Sequence, residues 1–298
     1  MSCSKLSGIF LLCFFLFSFP SISLCAAKCD FIITKKELAQ MRKGKVYNSV
    51  NTNGTACLKN YDDRDILFPI KNGKIEGTAK MYYYDDFIEE TTPYKNSKRE
   101  GMEKRYFPSG ALLRATPYKN DKIEGIEKIY YEIGGVESEI PYKNGRVDGI
   151  SKDYYIDGTL AARFTYKNDY KEGSAKKYYH DGKIKLERMY KMGRKHGYER
   201  SYTEKGIMTE EIPFYDGSVN GTLKVFDKET GKPFLFVDYV KGIKHGRAVK
   251  YSSDGKVYAV INFENDYAVS GKCMNGYKLT PKDLETIQFS IYRIKCGR

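Results

Sequence analysis

Length, composition and charge already restrict what this chain can be. It has 298 residues, with 51 Lys and Arg against 38 Asp and Glu, which gives a formal net charge of +13. Its three histidines, His180, His196 and His245, belong to no recognisable Ser/His/Asp or Cys/His motif, and no phosphate-binding loop is present. The sequence therefore predicts a non-enzymatic protein with no catalytic residue, cofactor or metal, and a basic surface suited to an anionic partner.

The amino terminus has the pattern of a secretory signal peptide. Lys5 precedes an apolar run over residues 9–19, which Pro20 ends, and Ala26 and Ala27 are small residues suited to cleavage. We expect residues 1–27 to be removed, so that loss of Lys5 lowers the charge from +13 to +12 and the mature protein is periplasmic or secreted. Export argues against nucleic acid as a partner.

Two alternatives would keep the amino terminus on a membrane. A run of 11 residues is too short to span a bilayer comfortably, which argues against a permanent anchor. A lipoprotein site at Cys25 would follow Leu24, where a small residue is usual, so lipoprotein anchoring is the weaker alternative.

Two flanking segments, residues 28–65 and 272–298, are predicted to cap the structure between them. Residues 34–41 have a threonine N-cap and helical composition, and residues 280–292 open with the order threonine, proline, lysine, aspartate that starts a helix. A sheet with open edges needs such covers, because exposed edges pair with other chains. Use of these helices as a docking surface is the alternative.

Four cysteines remain after removal of the signal: Cys29, Cys57, Cys273 and Cys296. They allow three pairings, and we expect Cys29 to pair with Cys57 and Cys273 with Cys296, because the ends of an elongated molecule cannot meet. An exported protein permits such bonds. A metal or redox site is the alternative, but it lacks closely spaced cysteine pairs and nearby histidines.

Residues 66–271 contain a repeat with a period of 24 residues. Anchor glycines recur at this interval, with one step of 25 residues at the end, and a second phase of glycines follows nine residues later. The anchors are Gly77, Gly101, Gly125, Gly149, Gly173, Gly197, Gly221 and Gly246, and the second phase is Gly110, Gly134, Gly158, Gly182, Gly206, Gly255 and, one residue late, Gly231. Such a period indicates one supersecondary unit stacked along an axis.

Aromatic residues keep the same period, five residues after and seven residues before the anchors. They are Tyr82, Tyr106, Tyr130, Tyr154, Tyr178, Tyr202, Phe226 and Tyr251, and Tyr94, Tyr118, Tyr142, Tyr166, Tyr190, Phe214 and Tyr239. If each anchor glycine forms a turn, these odd offsets place both sets on one face of extended strands, as a stacked ladder. A ligand-binding subset of the tyrosines is the alternative.

The unit is therefore interpreted as a β-hairpin. Asn72-Gly73 and Asn144-Gly145 supply the positive φ that tight hairpin links require. One repeat position carries prolines, which must avoid the hydrogen-bond ladder or lie at a bulge. These prolines are Pro93, Pro117, Pro141 and Pro213. The predicted fold is all-β: an elongated single-layer antiparallel ribbon of about eight 24-residue hairpins, with short helical caps.

One segment shows the repeat in full. Residues 142–149 read Tyr-Lys-Asn-Gly-Arg-Val-Asp-Gly, and Lys152, Tyr154 and Gly158 follow. This pattern resembles the MORN repeat, in particular its bacterial variant form, and eight copies cover about residues 66–271. The resemblance implies a β-hairpin ribbon that serves as a scaffold for proteins or acidic phospholipids. Some bacterial variants carry an antitoxin-like label, and the family supplies no catalytic residue to transfer.

A cation recurs three residues after the anchor in seven copies, and we call this set the cation stripe. It consists of Lys80, Lys104, Lys128, Lys152, Lys176, Arg200 and Lys224. It is a candidate surface for an anionic partner, although lysine is also common on solvated strands. An acidic counter-stripe at Glu76, Glu100, Glu124, Asp148 and Glu172 precedes the first five anchors. This counter-stripe is expected to weaken the positive field there.

From sequence alone, the function predicted is an exported, non-enzymatic scaffold that binds a protein partner through many weak contacts along the ribbon. The second hypothesis is binding of anionic envelope lipid or lipopolysaccharide. The third is an immunity or antitoxin-like role.

Overall fold

The computed structural model describes residues 29–43, 53–59, 65–83 and 87–297, and the predicted signal peptide lies outside them. The described residues form a sheet of 25 strands. Its pairings are antiparallel except where β1 joins β2. Strand makes up 61% of the chain, and two short helices flank the sheet, so the elongated all-β ribbon is confirmed.

The flanking elements are β1 (Phe31–Ile32), α1 (Lys35–Arg42), β2 (Gly54–Lys59), α2 (Pro281–Phe289) and a 3-10 turn (Ile291–Arg293). The first half of the array contains β3 (Asp65–Lys71), β4 (Lys74–Ile75), β5 (Gly77–Tyr82), β6 (Ile88–Lys95), β7 (Lys98–Arg99), β8 (Gly101–Tyr106), β9 (Leu112–Lys119), β10 (Lys122–Ile123), β11 (Gly125–Tyr130), β12 (Val136–Lys143), β13 (Arg146–Val147), β14 (Gly149–Tyr154) and β15 (Leu160–Lys167). The second half contains β16 (Tyr170–Tyr178), β17 (Ile184–Lys191), β18 (Arg194–Tyr202), β19 (Met208–Tyr215), β20 (Ser218–Val219), β21 (Gly221–Phe226), β22 (Pro233–Val240), β23 (Ile243–Tyr251), β24 (Val257–Glu264) and β25 (Tyr267–Cys273).

The turns of each repeat lie at the Asn-Gly link and at the second-phase glycine. Asn144 and Gly145 both have positive φ between paired strands, and the amide of Gly158 donates to the carbonyl of Tyr155 in the other turn. The prediction of a turn at the anchor glycines is wrong, because five of them begin a strand and Gly173, Gly197 and Gly246 lie within one. Gly149, for example, pairs with Tyr166 on the next strand.

The anchor glycine and the proline of the neighbouring strand form one structural device. At Gly125, φ is +116°, and a Cβ placed there would lie 3.2 Å from Cγ of Pro117. Strands are interrupted just before the anchor glycines that face prolines, as between β10 and β11. Thr165 and Met189 stand at the proline position of the strands that precede β16 and β18. Both β16 and β18 continue through their anchor glycine without a break. Proline has no amide hydrogen to donate, so it accounts for the interruption, as its sequence position predicted.

The two aromatic sets lie on opposite faces of the sheet, so the prediction that they share a face is wrong. The two-residue turn pairs Tyr142 with Val147, which lies two residues before the anchor Gly149. The ring of Tyr142 therefore shares a face with the residues at even-numbered distances from the anchor. Tyr154, at an odd offset, lies on the other face, where its hydroxyl donates to Glu139. The error follows from placing a turn at the anchor in addition to the one at Asn-Gly.

Both caps pack on one side of the sheet, which we call the cap face. The amino-terminal core includes Met41 of α1 with Phe68 and Ala79, and the carboxyl-terminal core includes Ile287 of α2 with Ile261. Cross-strand register connects Ala79 to Thr92 and, at the far end, Ala248 to Ile261, along one continuous row. The caps thus cover the two ends of the same face.

The predicted cap helices are both present. Thr34 and Glu37 form a capping box at α1, and Thr280 and Asp283 form one at α2. The second helix is shorter than expected, because Ser290 has an extended backbone that ends α2 before the 3-10 turn.

Candidate functional site

The cation stripe lies on the face opposite the caps, which we call the ladder face. Lys128, Lys152 and Lys176 alternate along the sheet with residues of the intervening strands in direct cross-strand register. The resulting row, which we call the charge ladder, is Lys128, Glu139, Lys152, Arg163, Lys176, Glu187, Arg200, Glu211 and Lys224. Sequence reasoning identified the cations and missed the residues between them.

Each glutamate of the charge ladder contacts two stripe cations. The shorter distances are 3.0 Å from Glu139 to Lys128, 3.3 Å from Glu187 to Lys176 and 2.8 Å from Glu211 to Arg200. The hydroxyls of Tyr154 and Tyr202 also donate to Glu139 and Glu187, at 3.0 and 2.9 Å. Five of the seven stripe cations therefore take part in an ion-pair network on their own face, in which three carboxylates offset only part of the positive charge.

The electrostatics of these glutamates follow from the contacts. The hydrogen bond from Lys128 holds the pKa of Glu139 below its ordinary value. Burial works against the charged form of Glu187 and Glu211. Hydrogen bonds from Tyr202 and Lys176 outweigh it at Glu187, and those from Lys224 and Arg200 outweigh it at Glu211, so the pKa of each is also lowered. All three are carboxylates at neutral pH.

The alternation of charge fails at one point of the ladder. Arg163 stands where the neighbouring repeats have Glu139 and Glu187, and its cross-strand partners are Lys152 and Lys176. At the amino-terminal end, Thr91 and Ala115 occupy the equivalent position beside Lys80 and Lys104, so those two lysines face no carboxylate in register.

An exposed apolar row runs beside the charge ladder on the same face. Met102, Ile126, Ile150 and Tyr198 each precede a stripe cation by two residues on its own strand, and Met189 follows Glu187 by two. Residues two apart on a strand share a face. These five side chains are between 43% and 50% exposed, which is unusual for large apolar groups in one row.

The acidic counter-stripe has a structural role that sequence reasoning missed. Its carboxylates accept hydrogen bonds, 2.6 to 3.2 Å long, from a backbone amide in the Asn-Gly turn of the following repeat. The pairs are Glu76 with Asn96, Glu100 with Asn120, Glu124 with Asn144, Asp148 with Asn168 and Glu172 with Met192. This edge of the ribbon is thus fastened repeat to repeat, and these residues are engaged with the backbone.

The opposite edge is fastened by a third set of tyrosines, six residues after the anchor. The hydroxyl of Tyr131 donates to the carbonyl of Tyr154 at 2.7 Å, and Tyr155 donates to Tyr178 at 2.8 Å. Tyr179 makes the same bond to the next repeat. The sequence signal was the 24-residue recurrence of these tyrosines beside the better-kept aromatic set.

The cap face between the two caps has its polar groups largely occupied by one another. The hydroxyl of Thr116 donates to Glu127 at 2.7 Å, and the guanidinium of Arg99 lies 3.9 Å from the ring centre of Tyr118. Burial raises the pKa of Glu103 in this row, and the nearby carboxylate of Glu90 adds to the effect.

The cysteines divide between the two caps. Cys273 and Cys296 form a disulfide that ties the carboxyl-terminal segment to β25. Cys29 packs against the small cluster that contains buried Cys57, and a disulfide between these two stays a prediction. Among the described residues, no group of His, Cys, Asp and Glu is placed to hold a metal ion. The helices of the described ranges include none with the length and apolar character needed to cross a bilayer.

A protein-family comparison agrees with this architecture. The family model for the MORN repeat variant matches residues 99–120, 123–144, 171–192 and 244–265, all within the array. The chain is a MORN-repeat protein. MORN repeats are modules that bind proteins or lipids, and the family is non-enzymatic.

Other similarities of this MORN protein are partial. It is 38% identical over 92 residues to a protein named cytochrome c-556 from Rhodopseudomonas palustris, an alignment that covers 29% of this chain and 60% of the relative. The haem-attachment pattern Cys-x-x-Cys-His does not occur in the present sequence. The crystal structures of TcdB2-TccC3 and TcdB2-TccC3-Cdc42 align with TM-scores of 0.18 and 10% identity, over 72% and 74% of this chain and 12% of each of theirs. Scores this low carry no structural argument.

Proposed function

We propose that this MORN-repeat protein is a non-enzymatic, exported scaffold that binds a protein partner on its ladder face. The observation that supports the proposal is the apolar row beside the charge ladder. A row of exposed apolar side chains with a charged border favours a protein partner, because it combines burial of apolar surface with directional ion pairs. The combination also supports recognition by many modest contacts instead of one pocket.

The ion pairs of the ladder weigh against a membrane as the main ligand. A bilayer of anionic lipid attracts surfaces in proportion to their net positive charge. Glu139, Glu187 and Glu211 offset much of that charge on the ladder face. Lys80 and Lys104 face no such carboxylate in register, and they are the observation that favours lipid as a second candidate.

Export is also part of the proposal. It is supported by the signal-peptide pattern of residues 1–27. The disulfide between Cys273 and Cys296 supports it as well, because an oxidising compartment favours such a bond. It predicts that the mature protein begins near Lys28. Sequencing the amino terminus of the protein recovered from the native host's envelope and culture medium tests this. Recovery of the uncleaved chain from the cytoplasm alone would contradict it.

The partner is tested with two matched variants of the full mature chain. The row variant replaces Ile126, Ile150 and Tyr198 by serine. The control variant replaces Ile133, Ile156 and Met192, which are exposed apolar residues at turns, by serine. Far-UV circular dichroism checks that both variants keep the sheet.

We expect the wild type to form a stoichiometric complex with one protein of the exported fraction. The row variant should lose that complex, while the control variant should keep it. Binding to anionic phosphatidylglycerol vesicles should be weak at 0.15 M salt, since exposed charges are screened there. A row variant that retains the complex, or a wild type that binds only vesicles, would refute the proposed function.

A further inference from the structure

Positive charge on the ladder face is concentrated in three residues, Lys152, Arg163 and Lys176, which we call the cation triad. These residues lie in direct cross-strand register on three adjacent strands. Neighbouring strands are about 4.8 Å apart, so the backbone positions of the three residues lie within about 10 Å of one another. Like charges directly opposite each other in a sheet repel.

The repeat shows how this repulsion is avoided elsewhere. Glu139 and Glu187 occupy the position of Arg163 in the repeats on either side, and each contacts two cations. A glutamate at position 163 would have a cation in register on each side, Lys152 and Lys176, as Glu139 and Glu187 have. The chain has instead an exposed arginine, and no ion pair among the described residues involves it.

The surroundings of Arg163 leave room for a ligand. Its neighbours on the same face of its own strand are Ala161 and Thr165, both small. Ile150, from the apolar row, is paired with Thr165 and is half exposed. The triad therefore combines the exposed guanidinium of Arg163, between small neighbours, with two lysines that also contact Glu139 and Glu187 at 3.9 and 3.3 Å. One apolar side chain, that of Ile150, lies at its border.

We propose that the cation triad is the anchor point for an acidic segment of the protein partner, with a carboxylate of that segment taking the place that Glu139 and Glu187 hold in their own repeats. This inference rests on the proposed function and names the partner's chemistry. The guanidinium of Arg163 binds the carboxylate through two parallel N–H groups, and Lys152 and Lys176 add charge from either side. The adjoining Ile150 selects a partner with an apolar residue beside the acidic one.

The test uses a fluorescein-labelled hexaglutamate peptide as the probe and fluorescence polarisation as the readout. Arg163→Glu is the test variant, and Arg146→Glu is its control. Arg146 is also exposed and also has cationic neighbours, Lys122, Lys143 and Lys167, but it lies at the Asn-Gly edge. The two variants make the same change of net charge. We expect Arg163→Glu to weaken probe binding about tenfold or more, because it removes one close ion pair and adds a repulsion. Arg146→Glu should change it less than about twofold, since it makes no close pair with the probe.

Two further arms separate the outcomes. Arg163→Lys keeps the charge but loses the paired N–H groups, and we expect it to bind the probe with intermediate affinity. Phosphatidylglycerol vesicles serve as the lipid arm, and a larger loss for vesicles than for hexaglutamate in Arg163→Glu would overturn the inference in favour of a lipid site. Equal losses in Arg163→Glu and Arg146→Glu would also overturn it, since they would indicate diffuse attraction.

The failure of this inference and the failure of the proposed function give different results. If the partner complex forms with wild type and persists unchanged in Arg163→Glu, the scaffold stands and the triad is not its anchor. If the probe binds at Arg163 but no protein complex forms with wild type, the anion site stands and the proposed function falls.

Discussion

Restoring the missing glutamate should make the protein more stable. Arg163→Glu converts two like-charged cross-strand neighbours, Lys152 and Lys176, into two ion pairs of the kind that Glu139 and Glu187 already make at 3.0 to 3.9 Å. An opposite-charge cross-strand pair contributes roughly 0.2–1 kcal/mol, and like charges cost a similar amount. Because the side chains are exposed, we take the lower part of each range and expect a gain of about 1 kcal/mol.

The measurement is urea unfolding at low salt, followed by far-UV circular dichroism, with hydrogen exchange in β14, β15 and β16 as the local readout. Local exchange is needed because repeat arrays unfold in parts. The gain should shrink at 1 M salt, where the screening length is about 3 Å. The opposite change, Glu187→Arg, should destabilise the protein because it extends the run of cations and leaves the hydroxyl of Tyr202 without its acceptor.

Two results would refute the reasoning. One is a variant Arg163→Glu that is no more stable than wild type at low salt. The other is a gain of the same size at low and high salt, which would show that packing and not charge is responsible. A stability gain joined to a loss of probe binding is the pattern expected where a site is retained for recognition at the expense of stability.

The remaining predictions concern the turns, the edges and pH. Gly125→Ala should cost about 2–3 kcal/mol in urea unfolding, because alanine is strained at positive φ and its Cβ would meet a proline side chain at 3.2 Å. Gly158→Ala, at φ +83° in open space, should cost only about 1–2 kcal/mol, and equal costs would contradict the role of the proline contact. Tyr155→Phe should lose about 1 kcal/mol and speed hydrogen exchange near Tyr178, whose carbonyl loses its partner; unchanged exchange would argue against the edge fastening. The folded-state pKa of Glu139 is below its ordinary value of 4.5, so the stabilisation from its carboxylate is complete above that pH and is lost as the pH falls through the lowered value. Glu139→Gln should flatten this part of the plot of unfolding free energy against pH. An unchanged plot would contradict the assignment.

The fold was predictable where a local rule decides the structure. The 24-residue period, the Asn-Gly links and the position of the prolines follow from the φ values and hydrogen bonds that those residues permit. The same holds for the N-caps Thr34 and Thr280, whose side chains accept hydrogen bonds from helix amides. In each case the residue type alone restricts the backbone.

The assignment of faces was not predictable from periodicity, because it depends on which glycine forms the turn. With no turn at Gly149, the predicted link at Asn144-Gly145 makes Tyr142 share a face with Val147 and not with Tyr154. Using that link without the extra turn at the anchor would have separated the two aromatic sets. The same error hid the relation between Tyr154 and Glu139.

The charge ladder escaped prediction for a different reason. Its glutamates occupy one repeat position in three copies only, where the other copies have Thr91, Ala115, Arg163 or apolar residues. A search for recurrence finds the lysines, which recur, and passes over the residues between them. Which residues face each other across strands is a property of register and not of spacing along the chain.

This difference between recurring and varying positions bears on where function lies in a repeat protein. The residues that make the repeats alike are engaged with the backbone: anchor glycines at strand interruptions, acidic residues at the turns and tyrosine hydroxyls at the edge. Because the backbone is held at both edges, the residues facing outward in mid-strand are free to differ without loss of the fold. Position 163 is such a site, and we expect the arginine there to stabilise the protein less than a glutamate would. A residue that the fold neither requires nor favours is a better candidate for recognition than one that the repeat maintains in every copy.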